Sequence, residues 1–100
     1  MLMLVMAIAG AGMGPEARIP WITTMDYPAA LEAQRAEGVV EFALRYDDAG
    51  RVTDCAIVKS SGTVLLDVVT CRIAHRRARA RPDEPRAQAF RHRWVAPAAR

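Results

Sequence analysis

The sequence predicts an α+β domain with a small antiparallel sheet of about three strands and two helices packed on one face. Two observations predict the sheet: a pair of alternating apolar segments joined by a turn that contains Asp and Gly, and a third alternating segment near the C terminus. Segments of helix-forming composition before and after the hairpin indicate the helices. With 100 residues, the chain is one domain, which excludes a two-domain enzyme with a cleft between lobes.

The first elements precede the hairpin. Residues 20–24 are β-prone and form a candidate edge strand. Residues 29–37 consist of good helix formers. Pro28 stands where a helix start favours proline, and Gly38 stands where a helix end favours glycine. We therefore expect the first helix over residues 29–37.

The hairpin is the clearest local pattern. In its first strand apolar residues alternate with Glu41, Ala43 and Arg45, and these apolar residues are Val40, Phe42, Leu44 and Tyr46. Residues 47–50 read Asp-Asp-Ala-Gly, which is typical of a turn, and residues 52–59 return as the second strand. We expect one face of the first strand to lie in the core.

A second helix is predicted over about residues 64–77. Residues 60–63 precede it and carry side-chain oxygens that can cap its N terminus. Asp67 in the first turn and arginines in the last turn agree with the helix dipole. The residues expected to face the sheet are Leu65, Leu66, Val69 and Ile73, with Cys71 as a further candidate.

The last strand is predicted over about residues 87–96. Its alternation places Arg91, Arg93 and Val95 on one face. The other face carries Gln88, Phe90, His92 and Trp94. We interpret Trp94 and Trp21 as lids on the core, and a role as binding anchors is the alternative.

The chain starts with an uncharged apolar segment, residues 1–14. It is shorter than the roughly 17–25 residues of a membrane-spanning helix, and its small residues at 9–11 suit a signal cleavage site. We interpret it as a signal-like segment or the end of a truncated anchor. Its glycines lack the G-x-G-x-x-G spacing of a nucleotide-binding loop. The remaining divisions are a short linker (15–20), a folded domain (21–97) and a tail (98–100).

Charge is divided unevenly along the chain. Residues 1–50 hold three arginines and seven acidic residues, whereas residues 51–100 hold eleven lysines and arginines and four acidic residues. Five arginines fall within residues 72–81. We interpret this run as a solvated helix end. Contact with an anionic lipid or an acidic protein is one alternative, and nucleic-acid binding by a cytosolic domain is the other.

The two cysteines, Cys55 and Cys71, are an even count in a small domain. In an exported protein we expect them to form one disulfide, which closes a loop of about 16 residues and stabilises the fold by about 3 kcal/mol. Two buried, unpaired thiols in a cytosolic core are the alternative.

The sequence shows no constellation for catalysis or metal binding. His75 and His92 have no Cys or His partner at metal-ligand spacing. Ser60 and Ser61 lack the motif that exposes a nucleophilic serine. We therefore predict a protein that is not an enzyme and that needs no cofactor or metal.

Several short motifs occur in a fixed order across residues 20–96. They are Tyr27-Pro28, Gly-Val-Val-Glu-Phe at 38–42, Asp-Ala-Gly-Arg-Val at 48–52, Ser-Ser-Gly at 60–62, Leu66-Asp67 and Pro82. In this order and approximate spacing the chain resembles the C-terminal domain of TonB-type energy transducers. The cysteine pair resembles a variant of that family with one cysteine on the second strand and one on the second helix.

The resemblance implies a periplasmic protein-binding module without nucleic-acid partners. In the family, a peptide segment of an outer-membrane TonB-dependent transporter is added as an extra strand beside the last strand. The resemblance also implies energy-dependent import of iron chelates, cobalamin or similar solutes, with an ExbB/ExbD-like motor if an inner-membrane anchor lies upstream. A homodimer through the open edge is a further candidate. The implied partner-binding residues are Gln88, Phe90, Arg91, His92, Arg93 and Trp94.

The alternative is a non-transducing envelope protein of the same fold that lacks the anchor and linker. A transducer crosses the periplasm through a long proline-rich linker, whereas residues 15–20 reach only about 20 Å when extended. Ala80 also replaces an aromatic residue that the family often places shortly before the position of Pro82. In this alternative the domain contacts another envelope component or an anionic surface.

Overall fold

The computed structural model describes residues 19–98. Residues 1–14, most of the linker 15–20 and the last two residues of the tail 98–100 lie outside the described residues. Among residues 19–98, no helix is long and apolar enough to cross a membrane. The elements are two short 3₁₀ helices (Thr24–Asp26 and Ala29–Leu31), β1 (Gly38–Tyr46), β2 (Val52–Lys59), α1 (Val64–Arg77) and β3 (Ala87–Trp94).

The three strands form one antiparallel sheet in the order β2-β1-β3. β1 is the central strand, and Phe42 on β1 lies opposite Ile57 on β2 and Phe90 on β3. The three predicted strands are confirmed. β1 begins at Gly38, earlier than the alternation indicated, and β3 ends at Trp94 instead of residue 96.

The core lies on one face of the sheet. The four alternating apolar residues of β1 are all buried, as predicted (Val40, Phe42, Leu44 and Tyr46). They pack with Leu66 and Ile73 of α1 and with Trp94 of β3 in a single apolar cluster. α1 spans the predicted range, and Leu65 and Val69 are half-buried at the border of this cluster.

The helix predicted over residues 29–37 is not confirmed. This segment forms the 3₁₀ helix Ala29–Leu31 and turns that run to Arg35, which adopts a left-handed backbone conformation with φ of 51°. A helix of this length is marginal in water without tertiary packing, and Leu31 is the single buried residue of the 3₁₀ helix. The Tyr27 hydroxyl oxygen also lies 3.2 Å from the Leu31 carbonyl oxygen, beside the turn. The sheet therefore carries one α-helix and 3₁₀ turns instead of two helices.

The candidate edge strand at residues 20–24 is also absent from the sheet. Residues 20 and 21 form a turn, and Thr23 caps the 3₁₀ helix that follows. The Thr23 N–H donates to the Asp26 carboxylate at 2.8 Å, and the Thr23 hydroxyl accepts from the Met25 N–H. Capping thus outweighs the β propensity of this segment, and the segment crosses the core face of the sheet, where Trp21 contacts Phe42.

The serines before α1 bind a carboxylate instead of capping the helix backbone. Thr63 is the N-cap residue and makes no side-chain cap hydrogen bond. The hydroxyls of Ser60 and Ser61 both donate to Asp67. Burial alone would raise the pKa of Asp67, but these hydrogen bonds outweigh it and lower the pKa below its ordinary value. The loop therefore joins β2 to α1 through a charged carboxylate.

The expected disulfide is confirmed. Cys55 on β2 and Cys71 on α1 are bonded, with their Cα atoms 5.7 Å apart. The bond ties the middle of α1 to a strand at the edge of the sheet. It therefore fixes the position of α1 relative to β2.

Candidate partner-binding edge

The candidate site is the edge strand β3. β3 pairs with β1 on one side, and no other strand among residues 19–98 adjoins it. The Tyr46 N–H donates to the Arg86 carbonyl at 2.8 Å, so the backbone carbonyl of residue 86 points towards β1. Because neighbouring residues of an antiparallel strand point their backbone groups in opposite directions, residues 88, 90, 92 and 94 bond towards β1. The backbone groups of residues 87, 89, 91 and 93 point away from β1.

Trp94 anchors the C-terminal end of this strand. Its side chain is buried, and its indole N–H donates to the Thr70 hydroxyl at 2.9 Å. The Thr70 hydroxyl in turn donates to the Leu66 carbonyl at 2.7 Å. Both polar groups are thus satisfied inside the core, which supports the interpretation of Trp94 as a core residue.

Phe90 and Gln88 hold the strand in place from the same face. The Phe90 ring stacks on Phe42 at 5.4 Å between ring centroids and meets the edge of Trp21 at 5.7 Å. The Gln88 side chain accepts a hydrogen bond from the Tyr46 hydroxyl and donates to the Pro85 carbonyl. These two predicted site residues therefore position β3 and do not line the groove described below.

His92 and Arg91 lie further along the strand. His92 is half-buried and packs edge-on against Trp94, with 4.7 Å between ring centroids. Burial lowers the pKa of His92 below its ordinary value, so the ring is neutral near pH 7. On the opposite face, Arg91 Nε lies 3.8 Å from a carboxylate oxygen of Glu41, its register partner on β1.

A groove of about 270 Å³ runs beside the C-terminal half of β3. One wall is the strand itself, and the other is the irregular N-terminal segment. The groove brings together four of the six predicted site residues, namely Arg91, His92, Arg93 and Trp94. The remaining lining residues are Ile19, Ile22, Thr23, Thr24, Tyr27, Val39 and Val95.

The second wall was not predicted as part of the site. Ile19, Ile22 and Tyr27 are each buried, with 5–7% of their surface exposed. Tyr27 reaches across the wall, since its hydroxyl donates to the Ala36 carbonyl at 2.7 Å and its ring lies 6.4 Å from that of Trp94. Residues in irregular segments show no periodic pattern from which their contacts can be predicted. The Tyr27-Pro28 motif was the one sequence feature that pointed to this wall.

An ion pair fixes this wall to the helix. Arg77 at the end of α1 lies 2.9 Å from the Asp26 carboxylate and also donates to the Trp21 carbonyl. Burial alone would raise the pKa of Asp26, but the hydrogen bonds from Arg77 and Thr23 outweigh it and lower the pKa. Asp26 is therefore charged at neutral pH, and both walls of the groove rest on the same helix.

The arrangement suits recognition of an extended chain. A strand edge offers backbone donors and acceptors at every second residue, and a groove alongside accepts alternate side chains. Within residues 19–98, no cluster of three or more His, Cys, Asp or Glu side chains could hold a metal ion.

Comparison with known proteins identifies a family. The family model described as Gram-negative bacterial TonB protein C-terminal matches residues 23–97. The comparisons with curated proteins and with solved structures found no match. The matched range contains β3 and every other helix and strand of the described residues.

Proposed function

The chain belongs to the TonB C-terminal family, and on that premise we propose that it is a periplasmic module that binds a peptide segment of an outer-membrane TonB-dependent transporter. The family comprises periplasmic protein-interaction domains that act with outer-membrane transporters, and it is not an enzyme family. The chain thus carries a TonB-like energy-transducer domain.

The observation that carries the proposal is the position of β3 at the edge of the sheet beside the groove. A peptide that adds to this edge pairs with the backbone groups of residues 87, 89, 91 and 93, which point away from β1. Strand addition gains backbone hydrogen bonds without requiring a particular peptide sequence. The backbone of the edge strand therefore accounts for much of the affinity for a peptide, and selectivity among peptides must come from side chains.

The groove supplies that selectivity. Every second side chain of an added strand faces the core side of the sheet, where Ile22, Tyr27 and Trp94 form an apolar lining. The alternate side chains of the peptide face the side that carries Arg91 and Arg93. Phe90 and Gln88 contribute by keeping β3 straight and in register.

We propose that this binding couples to energy-dependent import of iron chelates, cobalamin or similar scarce solutes. In this proposal the domain is the outer-membrane end of a transducer, and force reaches the transporter through the added strand. An anchor upstream of the domain would make the contact with an ExbB/ExbD-like motor, and this contact would involve none of the residues of the groove.

The test is titration calorimetry with synthetic peptides that copy the periplasmic N-terminal segments of the organism's TonB-dependent transporters. Ala89→Pro and Arg93→Pro each remove a backbone N–H that points away from β1, while they leave the ladder to β1 in place. We expect each to weaken peptide binding about tenfold or more, since a lost hydrogen bond and a steric block add together.

Matched variants separate recognition from folding. Ala89→Val keeps the backbone N–H and should bind peptide within about threefold of the wild type, and Arg93→Gln, which removes only the charged side chain, should lose less binding than Arg93→Pro. His92→Pro removes a donor that faces β1 and should destabilise the fold. If the two proline variants at positions 89 and 93 stay folded and bind normally, or if no transporter peptide binds, the proposal is wrong.

A further inference from the structure

The solvent-facing side of α1 carries apolar and cationic side chains in one row. Val64, Val68 and Arg72 are spaced four residues apart, so they lie above one another on the helix. Val64 is 77% exposed and Val68 43% exposed. His75 and Arg76 are also exposed and continue the row towards the helix end. We call these five residues the α1 outer face.

The two arginines of this face are not engaged within the protein. Among residues 19–98, the guanidinium groups of Arg72 and Arg76 take part in no hydrogen bond or ion pair. Other arginines of the same region do have partners. Arg77 pairs with Asp26, and Arg81 pairs with acidic residues of the loop that follows.

No acidic side chain of the helix balances this charge. The sole acidic residue of α1 is Asp67, and its carboxylate accepts hydrogen bonds from Ser60 and Ser61. The surface thus combines uncompensated positive charge with exposed valines.

We propose that the α1 outer face docks on an anionic phospholipid surface. The headgroup region of such a membrane offers negative charge to Arg72 and Arg76 and a partly apolar layer to Val64 and Val68. A purely acidic segment would satisfy the arginines but would leave the valines in water. The face shares no residue with β3 or with the groove, so membrane docking and peptide binding can occur together.

The test is flotation of the full-length, disulfide-bonded chain with vesicles of phosphatidylcholine that contain either 30% or no phosphatidylglycerol. We expect stronger binding to the anionic vesicles than to the neutral ones, with the difference weakened by salt. Arg72→Gln with Arg76→Gln should lower binding about 25-fold, since each arginine near such a surface contributes about 1 kcal/mol, or about fivefold. Val64→Ser with Val68→Ser should lower the binding that persists at high salt.

The matched control is Arg45→Gln with Arg81→Gln, which changes net charge equally at positions outside the α1 outer face. This control should bind within about threefold of the wild type, and residues 1–18 are the same in every variant. Circular dichroism and thermal unfolding check that all variants fold. The proposal is overturned by equal binding to both vesicle types, by an equal loss in the control, or by binding to soluble polyglutamate without binding to vesicles.

Discussion

At the level of single side chains, the hydrogen bond from Trp94 to Thr70 links the candidate site to the core. Thr70 is completely buried, and its hydroxyl both accepts from the indole and donates to the helix backbone. A buried N–H without an acceptor costs free energy. The end of β3 is therefore held by a polar contact that one substitution can remove.

Thr70→Val should lower the free energy of unfolding by about 1–3 kcal/mol, because it leaves the Trp94 N–H buried without an acceptor. Urea denaturation measures the change. The control repeats the substitution in a Trp94→Phe background, which has no N–H to satisfy, and there Thr70→Val should cost much less. Equal costs in both backgrounds would contradict the role assigned to this hydrogen bond.

His92 gives the fold a pH dependence of defined sign. Burial lowers its pKa, so the unfolded chain binds a proton more readily than the folded one. Stability from this group is complete above its ordinary pKa of 6.5 and is lost as the pH falls below it. We expect the stability of the wild type to decrease between pH 7 and pH 5 relative to that of His92→Gln.

The measurement is urea denaturation of both proteins at several pH values in that window. Asp26 and Asp67 do not interfere, because their pKa values lie below 3.8. Parallel stability profiles for the wild type and His92→Gln would show that folding does not lower the pKa of His92.

Two glycines with positive φ form a matched pair. Gly62 has φ of 95° and open space where a Cβ would lie, so Gly62→Ala should cost about 1–2 kcal/mol from backbone strain alone. Gly50 has φ of 84°, and a Cβ there would lie 2.2 Å from the Ala80 carbonyl oxygen. Gly50→Ala should therefore cost clearly more. Equal losses of unfolding free energy would contradict the close approach at Gly50.

At the level of helices and strands, the elements that the sequence predicted correctly are those with regularly spaced apolar residues or a clear turn at their ends. β1, β2 and α1 each bury residues at regular spacing or are bounded by a clear turn, and their predicted positions were right within two residues. Residues 29–37 were assigned from helix propensity and from the flanking Pro28 and Gly38, without a regular apolar face. Propensity without an apolar face is a weak predictor, and the segment became a 3₁₀ turn that packs through Leu31.

The candidate site, like the fold, was predictable from the sequence only in part. The sequence placed the last strand correctly because β3 alternates clearly, and the family resemblance pointed to the role that we propose for it. The opposite wall of the groove could not be predicted, since Ile19, Ile22 and Tyr27 meet β3 only through tertiary packing. Alternation alone also could not show that Phe90 and Gln88 face the core and position β3, whereas the other predicted site residues line the groove.

β2 depends on its covalent link more than the other strands do. Most of its side chains are exposed, and only Val52 and Cys55 are half-buried. Replacing both cysteines with serine should lower the free energy of unfolding by about 3 kcal/mol. Amide hydrogen exchange should accelerate more in residues 52–59 than in β3. A uniform increase across the sheet would contradict a local role for the disulfide.

Across the whole molecule, the uneven charge of the sequence becomes a set of contacts between its two halves. Acidic residues of the first half meet arginines of the second half in the pairs Asp26 with Arg77 and Glu41 with Arg91. Arg72 and Arg76, which take part in no hydrogen bond or ion pair among residues 19–98, lie on the α1 outer face beside β2. The groove lies beside β3, at the other edge of the sheet. The molecule thus presents two separate surfaces, for which we propose a peptide and an anionic membrane as the respective partners.

The most direct test of strand addition is a set of nuclear Overhauser effects between a labelled transporter peptide and the backbone of the protein. We expect contacts from consecutive peptide residues to the amides of residues 87, 89, 91 and 93, together with contacts from alternate peptide side chains to Ile22 and Tyr27. Bound peptide with contacts to β2, or with no regular contacts to β3, would contradict the account.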